Sequence, residues 1–287
     1  MKTTPRLIPL DDPIAHDDDR LIEYRQLREN RLARPLPGAP DGVFIAEGDK
    51  VVRLMIQRGR FAVRSLLISQ NRRSVAEELA ALLPESVPVY LAGQELMDEI
   101  VGFPIHRGVL ASGVRLADPP IEDLLAGATS CVVLEGLSNH DNVGGVMRVA
   151  AAFGGVGDTG NPICPVLLDP TSCDPLYRKS IRVSMGHALR VPFARVSDWP
   201  AGLSVLGRLG FTTVAMTTSD DSIGLDELGE IEKPAVILGA EGPGLSEAAM
   251  LSADVRVRIP MSPGVDSLNV VTAGAIALSR LCKPERF

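Results

Sequence analysis

The chain alternates short apolar runs with segments of helical spacing along most of its length. Apolar runs predict strands at 43–46, 63–68, 87–91, 109–114, 131–134, 166–168, 212–216, 235–238 and 255–259. Helical spacing predicts helices at 21–34, 49–58, 75–83, 94–100, 142–153, 175–185, 199–209 and 268–281. Apolar strands separated by helices are typical of mostly parallel sheets covered on both faces. The predicted fold class is therefore α/β.

Breaks in this pattern divide the chain into four predicted parts. Residues 1–20 are polar and acidic, which predicts an N-terminal arm. Residues 21–116 contain enough alternating elements for a small α/β sandwich domain. Residues 117–128 include a proline pair and acidic residues, which is typical of a linker. Residues 129–287 form the predicted parallel-sheet domain.

Composition narrows the class of protein. Of the 287 residues, 45% are hydrophobic and 4% aromatic, so we expect a sizeable aliphatic core. No apolar run reaches membrane-spanning length and the N-terminus has no signal core, so we expect a cytoplasmic protein without a membrane partner. The four cysteines and four histidines follow no zinc-like spacing, so no metal is expected.

Charge is distributed unevenly between the two halves. The net charge of −7 argues at first against nucleic acid. Residues 1–116, however, balance 16 cations against 16 anions, and 14 of those cations are arginine. The guanidinium fork suits phosphate, so the front half could hold a local basic face. Four arginines recur at every third position from Arg25 to Arg34; a solvated helix is the favoured interpretation, with RNA contact as the alternative.

Three loops that follow predicted strands contain candidate chemistry. In the first, Asn142 opens a helix that also contains Arg148. The second, GAEGPGLS, places Glu241 among glycines that permit a tight turn. The third, IPMSPGVDSLN, ends at Ser267 and Asn269 before the last helix. Loops at neighbouring strand ends build ligand sites in α/β sheets, although capping, a surface ion pair or an exposed acidic turn would also account for each residue alone.

Common nucleotide and hydrolase motifs are absent from the sequence. It contains no G-x-G-x-x-G fingerprint opening a helix after a strand, no Gly-Lys-Ser/Thr phosphate loop and no G-x-S-x-G elbow. Dehydrogenase, NTPase and α/β-hydrolase functions are therefore disfavoured.

Taken together, the three loops resemble the motifs of the SpoU (TrmH) family of RNA ribose 2′-O-methyltransferases, in the SPOUT superfamily. The matching segments are NVGGVMRVAAAFG from Asn142, GAEGPGLS from Gly239, and IPM followed by SLN and a small-residue helix from Ile259. KSIRVSMGHALRVPF, from Lys179, resembles the middle segment of the family. The resemblance covers roughly residues 130–282.

The front half is similar to the ribosomal-protein-like α/β sandwich often fused ahead of that catalytic domain. FIAEGDKVV and HRGVLASG carry this likeness. The resemblance implies that the front domain binds the RNA substrate, tRNA or rRNA.

The family resemblance implies a fold, a cofactor and an assembly. The C-terminal part would form a trefoil knot that holds S-adenosyl-L-methionine as methyl donor, without a metal, and the active site would form across a homodimer. The implied cofactor-binding residues are Leu238, Gly239, Gly242, Ile259, Pro260, Met261 and Leu268.

The implied catalytic residues are Asn142, Arg148, Glu241, Ser267 and Asn269. Arg148 would serve as the base or as an anchor for phosphate and hydroxyl; anchoring is physically easier because arginine stays protonated. The link from Gly154 to Pro165 is longer than the family's usual one. The alternative from another class is a non-catalytic RNA-binding protein that keeps the fold.

Overall fold

The structure, a computed structural model, describes residues 7–10, 18–25, 27, 32–154 and 164–282. Its strands are β1 (Leu7–Pro9), β2 (Val43–Glu47), β3 (Val63–Ser69), β4 (Val89–Ala92), β5 (Val109–Val114), β6 (Cys131–Glu135), β7 (Val166–Leu168), β8 (Phe193–Arg195), β9 (Thr212–Met216), β10 (Ile223–Gly224), β11 (Pro234–Gly239) and β12 (Val255–Arg258). Its α-helices are α1 (Asp49–Arg58), α2 (Arg73–Ala80), α3 (Gln94–Val101), α4 (Ile121–Leu125), α5 (His140–Phe153), α6 (Arg178–Val183), α7 (Ser204–Arg208), α8 (Glu247–Ser252) and α9 (Val270–Leu281).

The chain divides into two compact units. The first comprises Met1–Ala117 and Leu176–Arg190. Its mixed sheet has the order β1-β4-β3-β5-β2, with β5 antiparallel to both of its neighbours. Aliphatic side chains from β3, β4 and α3 form a core on one face of this sheet.

The second unit comprises Asp118–Pro175 and Val191–Phe287. Its seven strands have the order β10-β12-β9-β11-β6-β7-β8, and every described pairing is parallel. Apart from Glu135 at the end of β6, the central strands β6 and β11 are apolar, which agrees with a parallel sheet covered on both faces. The α/β class and the parallel sheet predicted from the sequence are confirmed.

Register brings the candidate loops to one edge of this sheet. β11 lies between β6 and β9, with Leu238 opposite Leu134 and Gly239 opposite Glu135. β12 pairs with the other side of β9. Because these strands are parallel, the loops that follow them all leave the sheet at its carboxyl edge, where ligand sites form in such folds.

Several elements differ from the prediction. The helix expected at 21–34 is a 3-10 helix over Asp19–Tyr24 that ends at an extended Arg25; Arg28 and Arg31 lie outside the described residues. The predicted arm contributes strand β1, which pairs with β4. The helix expected at 175–185 is limited to α6, within the first compact unit.

The segment predicted as a linker, 117–128, contains α4. Leu124 and Leu125 of this helix are buried in the core of the second unit, so the segment belongs to that unit's packing. Most of the link from Gly154 to Pro165 lies outside the described residues. Among the helices that the structure describes, none combines the length and the apolar character required to cross a bilayer.

Helices α5 and α9 pack closely because α5 has a glycine at the contact. A Cβ built on Gly145 would lie 2.5 Å from Cγ2 of Val271. Real Cβ atoms do not approach carbon so closely, and a β-branched valine has little freedom to rotate away. The glycine at position 145 therefore sets the distance between the two helices.

We expect Gly145→Ala to lower the free energy of unfolding by about 1–2 kcal/mol, since overpacking outweighs the better helix propensity of alanine. Urea unfolding of Gly207→Ala is the matched control. A Cβ at Gly207, also in a helix, meets nothing within 4 Å. This control is expected to be unchanged or more stable by up to about 1 kcal/mol. Equal stabilities of the two variants would contradict the role of Gly145.

Candidate active site

A cavity of about 510 Å³ opens at the carboxyl edge of β9, β11 and β12. Its volume lies within the usual range for small-molecule sites, roughly 300–1,000 Å³. It is lined by Met216, Thr217, Thr218, Leu238, Gly239, Ala240, Glu241, Gly242, Pro243, Gly244, Leu245, Met250, Ile259, Met261, Ser267, Leu268, Asn269, Val270 and Ala273. Glu241 is the one ionisable side chain among these lining residues.

The glycine turn after β11 folds back on the strand that precedes it. A Cβ on Gly239 would lie 2.3 Å from the carbonyl carbon of Gly244 and 2.4 Å from the amide nitrogen of Leu245. The amide of Gly244 donates to the carbonyl of Ala240 at 3.0 Å, which closes the turn. A glycine is required at 239 because the backbone itself occupies the space of a side chain.

Asn269 joins all three candidate loops through one side chain. Its Oδ1 accepts a hydrogen bond from the amide of Val271 at 2.9 Å and so caps α9. Its Nδ2 donates to Oδ1 of Asn142 at 3.1 Å and to Oε1 of Glu241 at 2.8 Å. Capping fixes the orientation of the amide, and the amide nitrogen then faces both partners. The structure thus brings Asn142, Glu241 and Asn269 together.

Asn142 and Arg148 lie on different faces of α5. Asn142 is buried against α9, whereas Arg148 is exposed. Six residues at about 100° each separate them by roughly 240° around the helix. Arg148 therefore does not line the cavity that Asn269 and Glu241 line.

Most of the sequence-predicted site residues line the cavity. They are Leu238, Gly239, Glu241, Gly242, Ile259, Met261, Ser267, Leu268 and Asn269. Pro260 and Arg148 are exposed and do not line the cavity. Asn142 does not line it either, but it is hydrogen-bonded to Asn269, which does. Within the described ranges, no group of three or more His, Cys, Asp or Glu side chains could hold a metal ion.

Residues at the end of β9 and just after it line the cavity but were not predicted as site residues. Met216, Thr217 and Thr218 line the cavity, and so does Met250 from α8. A usable signal existed for the first three, because β9 was predicted as a parallel strand and its end had to share the edge where the other loops leave. Met250 comes from a helix and had no comparable signal.

Asp169 fixes the start of the first candidate loop. Its carboxylate accepts hydrogen bonds from the amide of Gly136 at 3.1 Å, from the amide of Ser172 at 2.8 Å and from the Thr171 hydroxyl. Burial acts to raise the pKa of this carboxyl, while the hydrogen bonds from Ser172, Thr171 and Gly136 lower it. The hydrogen bonds prevail, so the pKa of Asp169 lies below its ordinary value.

Comparison with known proteins gives a consistent result. The model of the SpoU rRNA Methylase family matches residues 129–279. An uncharacterized tRNA/rRNA methyltransferase of Mycobacterium tuberculosis is 41% identical over 278 residues, which are 95% of this chain and 92% of that protein.

Two solved structures share the fold across both units. The SpoU methyltransferase AviRb from Streptomyces viridochromogenes, in complex with AdoMet, has a TM-score of 0.74 at 21% identity, covering 92% of this chain and 97% of its own. A structure described as an RNA 2′-O ribose methyltransferase has a TM-score of 0.69 at 20% identity, covering 96% and 97%.

We expect Asp169→Asn to lower the free energy of unfolding at pH 7 by about 1.5–3 kcal/mol, because an amide replaces a charged acceptor. The lowered pKa means that the stabilisation by Asp169 is complete above about pH 4, the unfolded value, and is lost as pH falls through the folded value. Urea unfolding at several pH values should therefore show the wild-type advantage shrinking below about pH 4. Asp226→Asn, an exposed control, should show no such advantage. A pH-independent difference for Asp169→Asn would contradict this assignment.

Proposed function

The chain belongs to the SpoU rRNA methylase family, a family of RNA methyltransferases, and on that premise we propose that it methylates a ribose 2′-hydroxyl in tRNA or rRNA. The proposed methyl donor is S-adenosyl-L-methionine, which is bound in the AviRb structure. The 2′-O position follows the description of one structural neighbour and the motif resemblance.

The observation that carries the cofactor proposal is the chemistry of the cavity lining. Met216, Met250 and Met261 offer apolar, polarizable surface suited to a nucleoside and a sulfonium centre. Glu241 supplies the one charge, and no lysine or arginine belongs to the described lining. An anionic polyphosphate would meet no counter-charge, whereas a ligand with cationic centres would.

The residues of the chain have distinct proposed roles around the cofactor. When bound, S-adenosyl-L-methionine supplies an activated methyl group on a sulfonium. Backbone groups of Gly239 and Ile259, at the ends of β11 and β12, and of Leu268, just before α9, would hold it. Glu241 and Asn269, already hydrogen-bonded to each other, would orient polar groups at the mouth of the cavity.

Arg148 has a separate proposed role. A neutral ribose hydroxyl is a poor nucleophile and must lose its proton during transfer. Arginine remains protonated under ordinary conditions, so we assign Arg148 to anchoring the RNA phosphate and the hydroxyl rather than to proton removal. Its exposure leaves it accessible to RNA.

The proposal includes a homodimer and a C-terminal trefoil knot. Arg148 is exposed and does not line the cavity of its own chain. A second copy that presents its Arg148 at this cavity would complete the site, as the family resemblance implies. The knot would be formed by the segment that includes β12 and α9.

RNA contact is assigned to the first compact unit. The cations in residues 1–116 are mostly arginine, whereas the anions outnumber the cations in the rest of the chain. Arg72 and Arg107 are exposed in this unit. A Cβ built on Gly108, which follows Arg107 in the chain, would lie 3.5 Å from Cγ of Arg72. RNA filter binding by Arg72→Ala at two salt concentrations tests this contact, because each lost phosphate contact lowers the salt dependence.

Alkali resistance of the product tests the proposed reaction. Total RNA would be incubated with the protein and S-adenosyl-L-methionine labelled in its methyl group, then hydrolysed with alkali. A 2′-O-methyl ribose cannot assist cleavage of the adjacent phosphodiester, so we expect label in alkali-resistant dinucleotides. Label in mononucleotides would indicate base methylation, and RNA binding without label would support a non-catalytic protein.

We expect Arg148→Ala to reduce methyl transfer by at least about 100-fold, because the phosphate and the reacting hydroxyl are no longer held in position. The affinity for S-adenosyl-L-methionine, measured by calorimetry, should stay within about twofold, because Arg148 does not line the cavity. Arg208→Ala, another exposed helical arginine of the second unit, is the control and should retain activity. Equal loss of transfer and cofactor binding would contradict the role of Arg148.

Mixed dimers test whether Arg148 acts in the cavity of the partner subunit. If Arg148 acts in the partner's cavity, a mixture of Arg148→Ala and Asn269→Ala subunits contains dimers with one intact composite site. Statistical mixing should then restore about a quarter of wild-type activity, although each variant alone is inactive. No recovery in a mixture with confirmed subunit exchange would place Arg148 and the cavity in the same chain.

A further inference from the structure

Glu135, the last residue of β6, is a buried carboxylate that the proposed chemistry does not use. It is 9% exposed. Its Oε1 accepts hydrogen bonds from Nε1 of Trp199 at 2.6 Å and from Oγ of Ser246 at 2.7 Å. Its Oε2 accepts a hydrogen bond from the amide of Ser246 at 2.8 Å. A carboxylate withdrawn from water is thus satisfied by three neutral donors.

Ser246 is the residue at which the glycine turn ends. Its hydroxyl donates to Glu135 and accepts from the amide of Ala249 at 3.1 Å, so it also caps α8. The turn begins at Gly239, which stands opposite Glu135 in the β6–β11 register. Glu135 therefore binds Ser246 at one end of the loop, and Gly239 at the other end is its partner in the β6–β11 pairing.

This anchoring constrains the part of the loop that faces the cavity. Every residue from Gly239 to Leu245 lines the cavity, and the Gly244–Ala240 hydrogen bond closes the loop between its two ends. β11 holds one end of the loop over the cavity and Glu135 holds the other. We propose that Glu135 is a positioning residue that holds this turn in the conformation that binds the cofactor; the binding part of the proposal rests on the proposed function.

The hydrogen-bond pattern explains why a carboxylate is required rather than an amide. An ionised carboxylate only accepts, and here each of its oxygens receives an N–H donor. A glutamine at 135 would turn its NH₂ group toward the Trp199 indole in one orientation and toward the Ser246 amide in the other. Either orientation places two donors against each other, so Glu135→Gln retains the volume and loses the anchor.

Trp199 provides a direct spectroscopic reporter. It is the one tryptophan of the 287-residue chain, and its indole N–H is bound to Glu135. Loss of a hydrogen bond from an indole to a carboxylate changes the surroundings that determine its emission. Fluorescence therefore reports on the anchor independently of any ligand.

The test compares full-length wild type, Glu135→Gln and the control Glu122→Gln, which removes an exposed carboxylate of the same unit. The measurements are calorimetry with S-adenosyl-L-methionine, tryptophan emission and hydrogen exchange of residues 239–246. For Glu135→Gln we expect about tenfold weaker binding, because a hydrogen-bonded charge is lost. We also expect altered emission and faster exchange confined to the turn, with Glu122→Gln unchanged.

Two outcomes would overturn the positioning role. One is a Glu135→Gln protein that matches Glu122→Gln in affinity and exchange. The other is faster exchange throughout the second unit, which would indicate a general loss of stability. Absence of binding to wild type would defeat the proposed function alone, and exchange of the turn would then still decide whether Glu135 anchors it.

If Glu135→Gln does not fold, variants at Ser246 test whether the Glu135–Ser246 contact positions the turn. Ser246→Ala removes the hydroxyl donor and keeps the amide donor, so we expect about threefold weaker binding. Ser246→Thr keeps a hydroxyl and should restore wild-type affinity. Equal affinities of the alanine and threonine variants would overturn the proposal.

Discussion

The site depends on the orientation of one carboxamide. Asn269 commits its oxygen to the first turn of α9, and this leaves its nitrogen facing Asn142 from α5 and Glu241 from the glycine turn. Because the cap fixes the amide plane and the nitrogen then donates to both partners, one side chain orients the helix and the loops. Neither helix can rotate without breaking contacts to the other, and the close approach at Gly145 leaves little room for such rotation. The Asn269 side chain therefore both caps α9 and links this helix to α5 and to the glycine turn.

Local rules predicted the sheet and the edge at which the three candidate loops meet, whereas the individual cofactor residues came from the family resemblance. Apolar runs such as 131–134 and 235–238 locate buried strands, and parallel strands send their loops to a common edge. Glycines between strand and helix then mark turns that lie close to a backbone or a ligand, as Gly239 does. Strands β1, β8 and β10 were not predicted, since they have two or three residues each and form by pairing with neighbours distant in sequence.

Polar contacts between residues far apart in the chain could not be predicted from the sequence. Glu135 is separated by 111 residues from Ser246 and by 64 from Trp199, and nothing near any of them indicates the contact. The helix expected at 21–34 ended early because Arg25 adopts an extended backbone after Tyr24, whose buried ring and hydroxyl are fixed by the sheet. In each case tertiary packing, rather than local preference, determined the outcome.

The single negative charge of the cavity has a consequence for selectivity in a cell. ATP shares its adenosine part with S-adenosyl-L-methionine, so apolar contacts alone would not distinguish the two. A triphosphate usually depends on lysine or arginine for its charge, and here it would face Glu241 without any basic neighbour among the lining residues. If the cavity holds S-adenosyl-L-methionine as proposed, the absence of lysine and arginine from its lining would disfavour the abundant nucleotide without a steric gate.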